Sequence, residues 1–452
     1  MRNLILYLSI FIFIEVIFYW VTYDPYQLNF QLGYDINIGS INIHFGIDSL
    51  SLFFIFLVSL LIPCCLLFNW KTSIFEATEY CICLFFMECV LIFVFTILDM
   101  LLFYIFFESI LLPMFIFIGI FGSRKRRIHA AYLLFFYTLF GSLVMLGAII
   151  LIYIHVGSTD IQFLQTVEFT LEREILLWVA FFLSFSIKVP MYPFHIWLPE
   201  AHVEAPTEGS VLLAGVLLKM GSYGFLRILI PIFWNATIFF IPLVFILCSL
   251  AIVYTSFVTL RQIDLKRIIA YSSIAHMNIS ILGLFALNIY SIVGSVFLMI
   301  GHGIISAALF FIIGILYDRY KTRLVKYYSG IVQIMPLFSV FFFIFILGNI
   351  SFPGTCNFIG EILVFFGLSY VNLWLVIVIS IGIFLCTIYS MLLYNRISFG
   401  YLNIHNLIRL FDINRLEFFL LIPFILFLLL WGIYPNLLIG DLLLPSYNLI
   451  FI

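Results

Sequence analysis

Six ionisable side chains stand inside apolar stretches of the chain: Lys188 in "SIKVPMYP", Lys219 in "LLKMGSY", Glu108 in "FFESILLP", Glu361 in "NFIGEILVFF", His276 in "SSIAHMNI" and His302 in "LMIGHGII". Amine, carboxyl and imidazole groups take up and release protons. A lysine at the centre of a bilayer costs about 2.5–3.5 kcal/mol, so it is a functional candidate by default. Two unit charges about 4 Å apart at an effective dielectric near 20 interact by roughly 4 kcal/mol. Moving or protonating Glu108 could therefore decide whether Lys188 keeps its proton. The relay expected from these residues runs from Lys188 through Lys219 to His276 and His302, with water between, and ends at Glu361. A hydrogen-bonded core histidine is the plain alternative for His276 and His302. Ser272, Ser273, Gly301, Gly303 and Ser306 beside them leave room for helices to approach and for water to enter. Glu15 and Glu88 also fall in apolar runs, where an interhelical hydrogen bond accounts for them as well as function does.

The elements that must hold these groups are membrane helices. The 452 residues are 65% hydrophobic and only 9% charged, more apolar surface than a soluble domain could cover. A hydrocarbon core about 30 Å thick takes roughly 20 apolar residues per helix. Thirteen such runs occur, near 4–22, 50–68, 80–98, 100–119, 130–155, 175–198, 209–230, 238–258, 267–286, 290–316, 335–370, 373–395 and 417–435. The first is too long for a signal peptide and lacks a small-residue cleavage site, so it reads as an anchor. Residues 27–48 alternate about Asn37-Ile38-Gly39-Ser40 and predict a surface β-hairpin.

Proline gives two of the runs a further meaning. It removes a backbone hydrogen bond, and the freed carbonyl is tolerated at membrane depth only where protein or water satisfies it. Pro190, just after Lys188, predicts a broken sixth helix; Pro353 and Gly354, before Glu361, predict a broken eleventh. The two broken runs are five apart in the chain, and an odd offset makes tandem five-helix units inverted copies. The expected protein is therefore an all-α polytopic membrane protein of about thirteen transmembrane helices. Its inverted repeats span 80–237 and 238–400, with N-terminal helices and the hairpin in 1–79 and a final loop and helix in 401–452.

Charge sets the orientation. Placing the N-terminus and every even-numbered loop on one side gathers sixteen Lys and Arg there: Arg2, Lys71, Arg124, Lys125, Arg126, Arg127, Arg261, Lys266, Arg267, Arg319, Lys321, Arg323, Lys326, Arg396, Arg409 and Arg415. The other side receives Arg173 and Arg227. This predicts an N-terminus in the matrix or cytoplasm, and makes "RKRR" at 124–127 a topology determinant in place of a nucleic-acid patch. The eight cysteines show no zinc or iron–sulfur spacing, and no Walker loop or dinucleotide glycine pattern occurs, so no redox cofactor is expected on this chain.

Residues 188–227 ("KVPMYPFHIWLPEAHVEAPTEGSVLLAGVLLKMGSYGFLR"), "LRQIDLKRIIAYSSIAHMN" at 260–278, "LMIGHG" at 298–303 and "NFIGE" at 357–361 resemble the subunit 4 family of respiratory NADH:ubiquinone oxidoreductase, complex I. The likeness runs from "GIDSLSLFF" at 46 to the end of the twelfth run. It implies an antiporter-like subunit of the membrane arm, with subunits 2 and 5 as neighbours and with NADH, FMN, iron–sulfur clusters and ubiquinone held elsewhere in the complex. By that resemblance Glu108 and Lys188 match the family's interacting carboxylate and lysine, Lys219 its second lysine, and His276, His302 and Glu361 its central and exit-side relay. Glutamate at 361, where sister subunits carry lysine, favours subunit 4. This chain departs in having one helix before the hairpin where the family has two, in Glu208 where the family carries a small residue, and in Glu15, which has no counterpart.

Two other classes fit parts of the pattern. A multisubunit sodium/proton antiporter shares the repeat and the lysines. A b-type cytochrome would use His276 and His302 as axial ligands. A plain scaffold would have no reason to bear buried Lys188 and Lys219. Rich use of Phe, Ile, Leu and Tyr fits the mitochondrial inner membrane, with a bacterial plasma membrane as the alternative; lipids are the other expected partner.

Overall fold

A computed structural model of the chain describes residues 1–27, 30–38, 41–70, 74–122, 124–402 and 411–451. The apolar runs are helical because, without water, each backbone N–H and C=O must find its partner inside its own segment. In chain order the helices are α1 (Arg2–Thr22), α2 (Ser49–Phe68), α3 (Ile74–Thr96), α4 (Met100–Gly119), α5 (Arg127–Val156), α6 (Leu171–Lys188), α7 (Trp197–Glu204) and α8 (Thr207–Ile232). The second half holds α9 (Trp234–Arg261), α10 (Leu265–Phe285), α11 (Ile289–Tyr320), α12 (Pro336–Asn349), α13 (Cys356–Val371), α14 (Leu373–Ser398), α15 (Arg415–Ile433) and α16 (Asn436–Phe451).

Among the described residues, 11 helices are each long and apolar enough to cross a membrane. The pairs α6/α7 and α12/α13 are the expected broken runs, and joining each pair into one span is what a count of about thirteen requires. Helices α2, α8, α10 and α11 are enclosed by neighbours along nearly their whole length, whereas α1, α5 and α15 are largely open at the periphery. The enclosed set carries Lys219, His276 and His302.

The expected hairpin forms from β1 (Gln31–Ile38) and β2 (Ile41–Ile47), antiparallel, with Ile38 opposite Ile41. Gly39 and Ser40 of its expected turn lie outside the described residues, as do Lys71 and Arg409 of the charge count. The hairpin is tied down where the Leu98 N–H donates to the His44 carbonyl at 3.0 Å.

Three charges expected in loops are buried. Arg227 lies within α8, 2.8 Å from the carboxylate of Asp48, which also caps the N-terminus of α2. Lys266 donates to the Ala205 carbonyl at 2.8 Å, and Arg323 donates to the Val203 carbonyl. Those carbonyls lie at the C-terminal end of α7, where a helix leaves acceptors unbonded, and the cations supply the donors. A charge at the edge of an apolar run reads as a loop residue, but a long side chain can turn inward to a helix end.

Candidate proton-relay site

The first break falls where the proline requires it. Helix α6 ends at Lys188, and the freed backbone groups find protein partners: the Trp197 indole N–H donates to the Ile187 carbonyl at 2.9 Å, and the Met191 N–H to the Ser186 carbonyl at 2.9 Å. The Lys188 ammonium is thereby directed at α4. It lies 3.7 Å from Glu108 Oε1, donates to the Phe107 carbonyl at 2.6 Å, and sits 3.1 Å above the Phe107 ring centre. The expected pair of Glu108 and Lys188 is therefore brought together.

A second cluster forms one layer further in. Lys219 lies in α8 between two stretches of wide, π-helical turn, Leu213–Leu217 and Phe225–Leu229. Such turns often mark functional positions because they displace backbone carbonyls from the α-helical ladder. Here the Lys219 ammonium donates to the Ala214 carbonyl at 2.5 Å and lies 3.0 Å from His302 Nδ1 on α11. The crossing that lets them meet depends on two glycines: a methyl group on Gly303 would stand 3.1 Å from the Gly215 carbonyl and 2.8 Å from Leu57.

From His302 the cluster continues to His276 of α10, with ring centres 5.7 Å apart, and from His276 Nδ1 to Glu361 Oε1 of α13 at 3.3 Å. Lys219, His302, His276 and Glu361 are all buried. The structure thus reverses the expected order of the two histidines: His302 faces Lys219, and His276 faces Glu361. Which imidazole is nearer the lysine is decided by the α8–α11 crossing, which leaves no trace in local sequence. The second break, between α12 and α13, contains Pro353 and Gly354; Gly354 has φ of +92°, a conformation suited to glycine. It starts α13 afresh and so sets the height of Glu361.

Several polar residues around the relay were missed or misplaced on sequence. His276 Nε2 lies 3.5 Å from the Cys386 thiol, which also receives the Tyr389 hydroxyl at 3.0 Å. Both were hidden among apolar neighbours in α14. His195, His202 and Glu204, which follow the break in the sixth run, are all buried. His202 stacks on Phe310 with ring centres 4.8 Å apart, and among the described residues neither ring nitrogen has a hydrogen-bond partner. A cavity of about 260 Å³ is lined among others by Tyr80, Glu208, Lys266, Asp318 and Arg323. Glu208 accepts the Thr207 hydroxyl at 2.9 Å there. Glu88 is buried in α3, and among the described residues neither of its oxygens has a hydrogen-bond partner.

Among the described residues no group of three or more His, Cys, Asp or Glu side chains could hold a metal ion. The two ring nitrogens of His276 face protein groups, Glu361 and Cys386. What the arrangement can do is hold and pass protons between adjoining groups.

A bundle with two broken spans and a buried chain of amine, imidazole and carboxyl groups defines an ion-translocating membrane subunit. Residues 97–388 match the family described as NADH:quinone oxidoreductase/Mrp antiporter, TM, and the chain belongs to that family. The "NADH-ubiquinone oxidoreductase chain 4" of Chondrus crispus is 49% identical over 452 residues, covering 99% of this chain and 92% of the relative. Among solved structures, one in respiratory complex I from Thermus thermophilus with bound NADH superimposes with a TM-score of 0.91 at 25% identity, covering 100% of this chain and 95% of that one. A chain of the Mrp complex from Dietzia sp. shares the fold, with a TM-score of 0.89 at 18% identity, covering 99% and 93%.

Proposed function

We propose that the chain is a proton-translocating subunit in the membrane arm of NADH:ubiquinone oxidoreductase, with Glu108, Lys188, Lys219, His302, His276 and Glu361 as its proton carriers. The observation that carries this reading is the unbroken run of contacts Lys219, His302, His276, Glu361 through the enclosed centre of a bundle whose relatives are chain 4 of that enzyme. Lys188 and Glu108 form a separate pair. Their separation of 3.7 Å is in the range where about 4 kcal/mol of pair energy can hold or release a proton.

Transfer between the two groups of residues would pass through water. The cavity lined by Glu208, Lys266 and Arg323 supports proton access from the basic end of the molecule. Moving one charge against 100 mV takes about 2.3 kcal/mol, and this energy would come from NADH oxidation by flavin, iron–sulfur centres and ubiquinone in partner subunits. The basic residues at one end support an N-terminus in the matrix of mitochondria, with antiporter-like subunits 2 and 5 as neighbours.

The test is Lys188→Ala in the assembled enzyme reconstituted in vesicles. Proton uptake driven by NADH should fall at least tenfold; wild-type rate and stoichiometry would refute the assignment. The Mrp likeness keeps sodium/proton exchange as the second reading. Purification with a quinone-reducing flavoprotein assembly supports the first, and sodium-driven proton exchange without such an assembly supports the second.

A further inference from the structure

Helix α1 is locked in rotation about its axis. Arg2 lies 4.0 Å over the Trp70 ring at one end. At the other, the Trp20 indole donates to Asp441 at 3.3 Å. Between them Phe13 packs on Phe56 at 5.8 Å and Trp20 on Phe53 at 5.8 Å. The face so directed outward carries Leu4, Leu8, Phe11, Glu15, Phe18 and Thr22, all exposed. Their spacing alternates four and three residues, the repeat by which one helix seats its side chains in another.

Hydrocarbon would suit the leucines and phenylalanines, but not Glu15. It lies seven residues, about 10 Å, from the nearer end of an apolar helix, and its Cα–Cβ bond leans toward the N-terminus, away from that end. A carboxyl is too short to snorkel over that distance. Among the described residues Glu15 has neither a hydrogen bond nor an ion pair, whereas the other mid-span acids, Glu88, Glu108 and Glu361, turn into the bundle. An ionisable group inside a membrane faces protein or water, not lipid.

We propose that this outer face of α1 is an interface that receives a membrane-spanning helix of a partner chain, one that presents a cationic or hydrogen-bond-donating side chain at the depth of Glu15. A single polar pair in an otherwise apolar seam would set both register and partner choice. The inference rests on the chain's working within a multisubunit assembly, and is independent of the relay.

The test uses dicyclohexylcarbodiimide, which labels carboxyls reachable from lipid. In the intact complex, adduct at Glu15 mapped by mass spectrometry should be at least tenfold lower than in the subunit released by denaturing detergent. A photo-crosslinker replacing Phe11 should join α1 to another polypeptide. Equal labelling of Glu15 in the intact complex, or Phe11 adducts with lipid alone, would overturn the proposal. Glu15→Leu should reduce incorporation of the subunit severalfold, with Glu15→Gln restoring it in part; unchanged incorporation of both variants would also count against it. Failure of the chain to co-purify with any partner would instead refute the assembly reading itself.

Discussion

Arg227 and Asp48 show what a buried charge demands of its neighbours. The guanidinium is 2.8 Å from the carboxylate, 3.2 Å from the Tyr223 hydroxyl and 4.8 Å over the Phe30 ring, so it joins α8, the start of α2 and the segment before β1. Removing one member of such a pair leaves the other charge uncompensated, at about 3–5 kcal/mol. Asp48→Ala should therefore lower the thermal stability of the purified complex and the amount of assembled subunit. Asp48→Asn, which also removes the charge but keeps a side-chain oxygen as N-cap and acceptor, should do less harm; equal effects would show that the lost charge alone accounts for the damage. Lys219 is the contrasting case. Among the described residues no carboxylate lies within ion-pair distance of it, and its contacts are a carbonyl and an imidazole. In the proposed relay its task is exchange with His302.

The helices deliver these groups by means of small residues. Gly221 of α8 lies against the broken end of α6, where an added methyl would stand 2.6 Å from Val189 and 3.3 Å from the Lys188 Cβ. Both contacts are with side chains fixed by the break, so a branched side chain would push Lys188 out of register with Glu108. Gly221→Val should cut NADH-driven proton translocation at least tenfold while Gly147→Val, on an open face where an added methyl meets nothing within 4 Å, leaves it unchanged. Proton flux insensitive to Gly221→Val would show that the seating of α6 on α8 is not limiting. The wide turns at 213–217 and 225–229 act at the same level, since they set which way Lys219 points.

The whole bundle places Lys219, His276 and His302 in its most enclosed helices and leaves most of α1, α5 and α15 open at the periphery. If redox chemistry resides in other subunits, Lys219→Met should depress NADH-driven quinone reduction and proton uptake together. It should spare NADH oxidation by a hydrophilic acceptor, which reports on the redox partners alone; loss of that activity too would point to failed assembly. Much of this design is legible in the chain. Thirteen apolar runs, two prolines at helix breaks and six ionisable residues in apolar surroundings follow from local composition, because lipid imposes the same requirement on every span. The order Lys219, His302, His276, Glu361 was not legible, nor were the inward turns of Arg227, Lys266 and Arg323 or the contact of Cys386 with His276. Each depends on which helix crosses which, and at what height. That was settled by close passages such as Gly215 on Gly303, where residues nearly ninety positions apart meet through packing that no local pattern encodes.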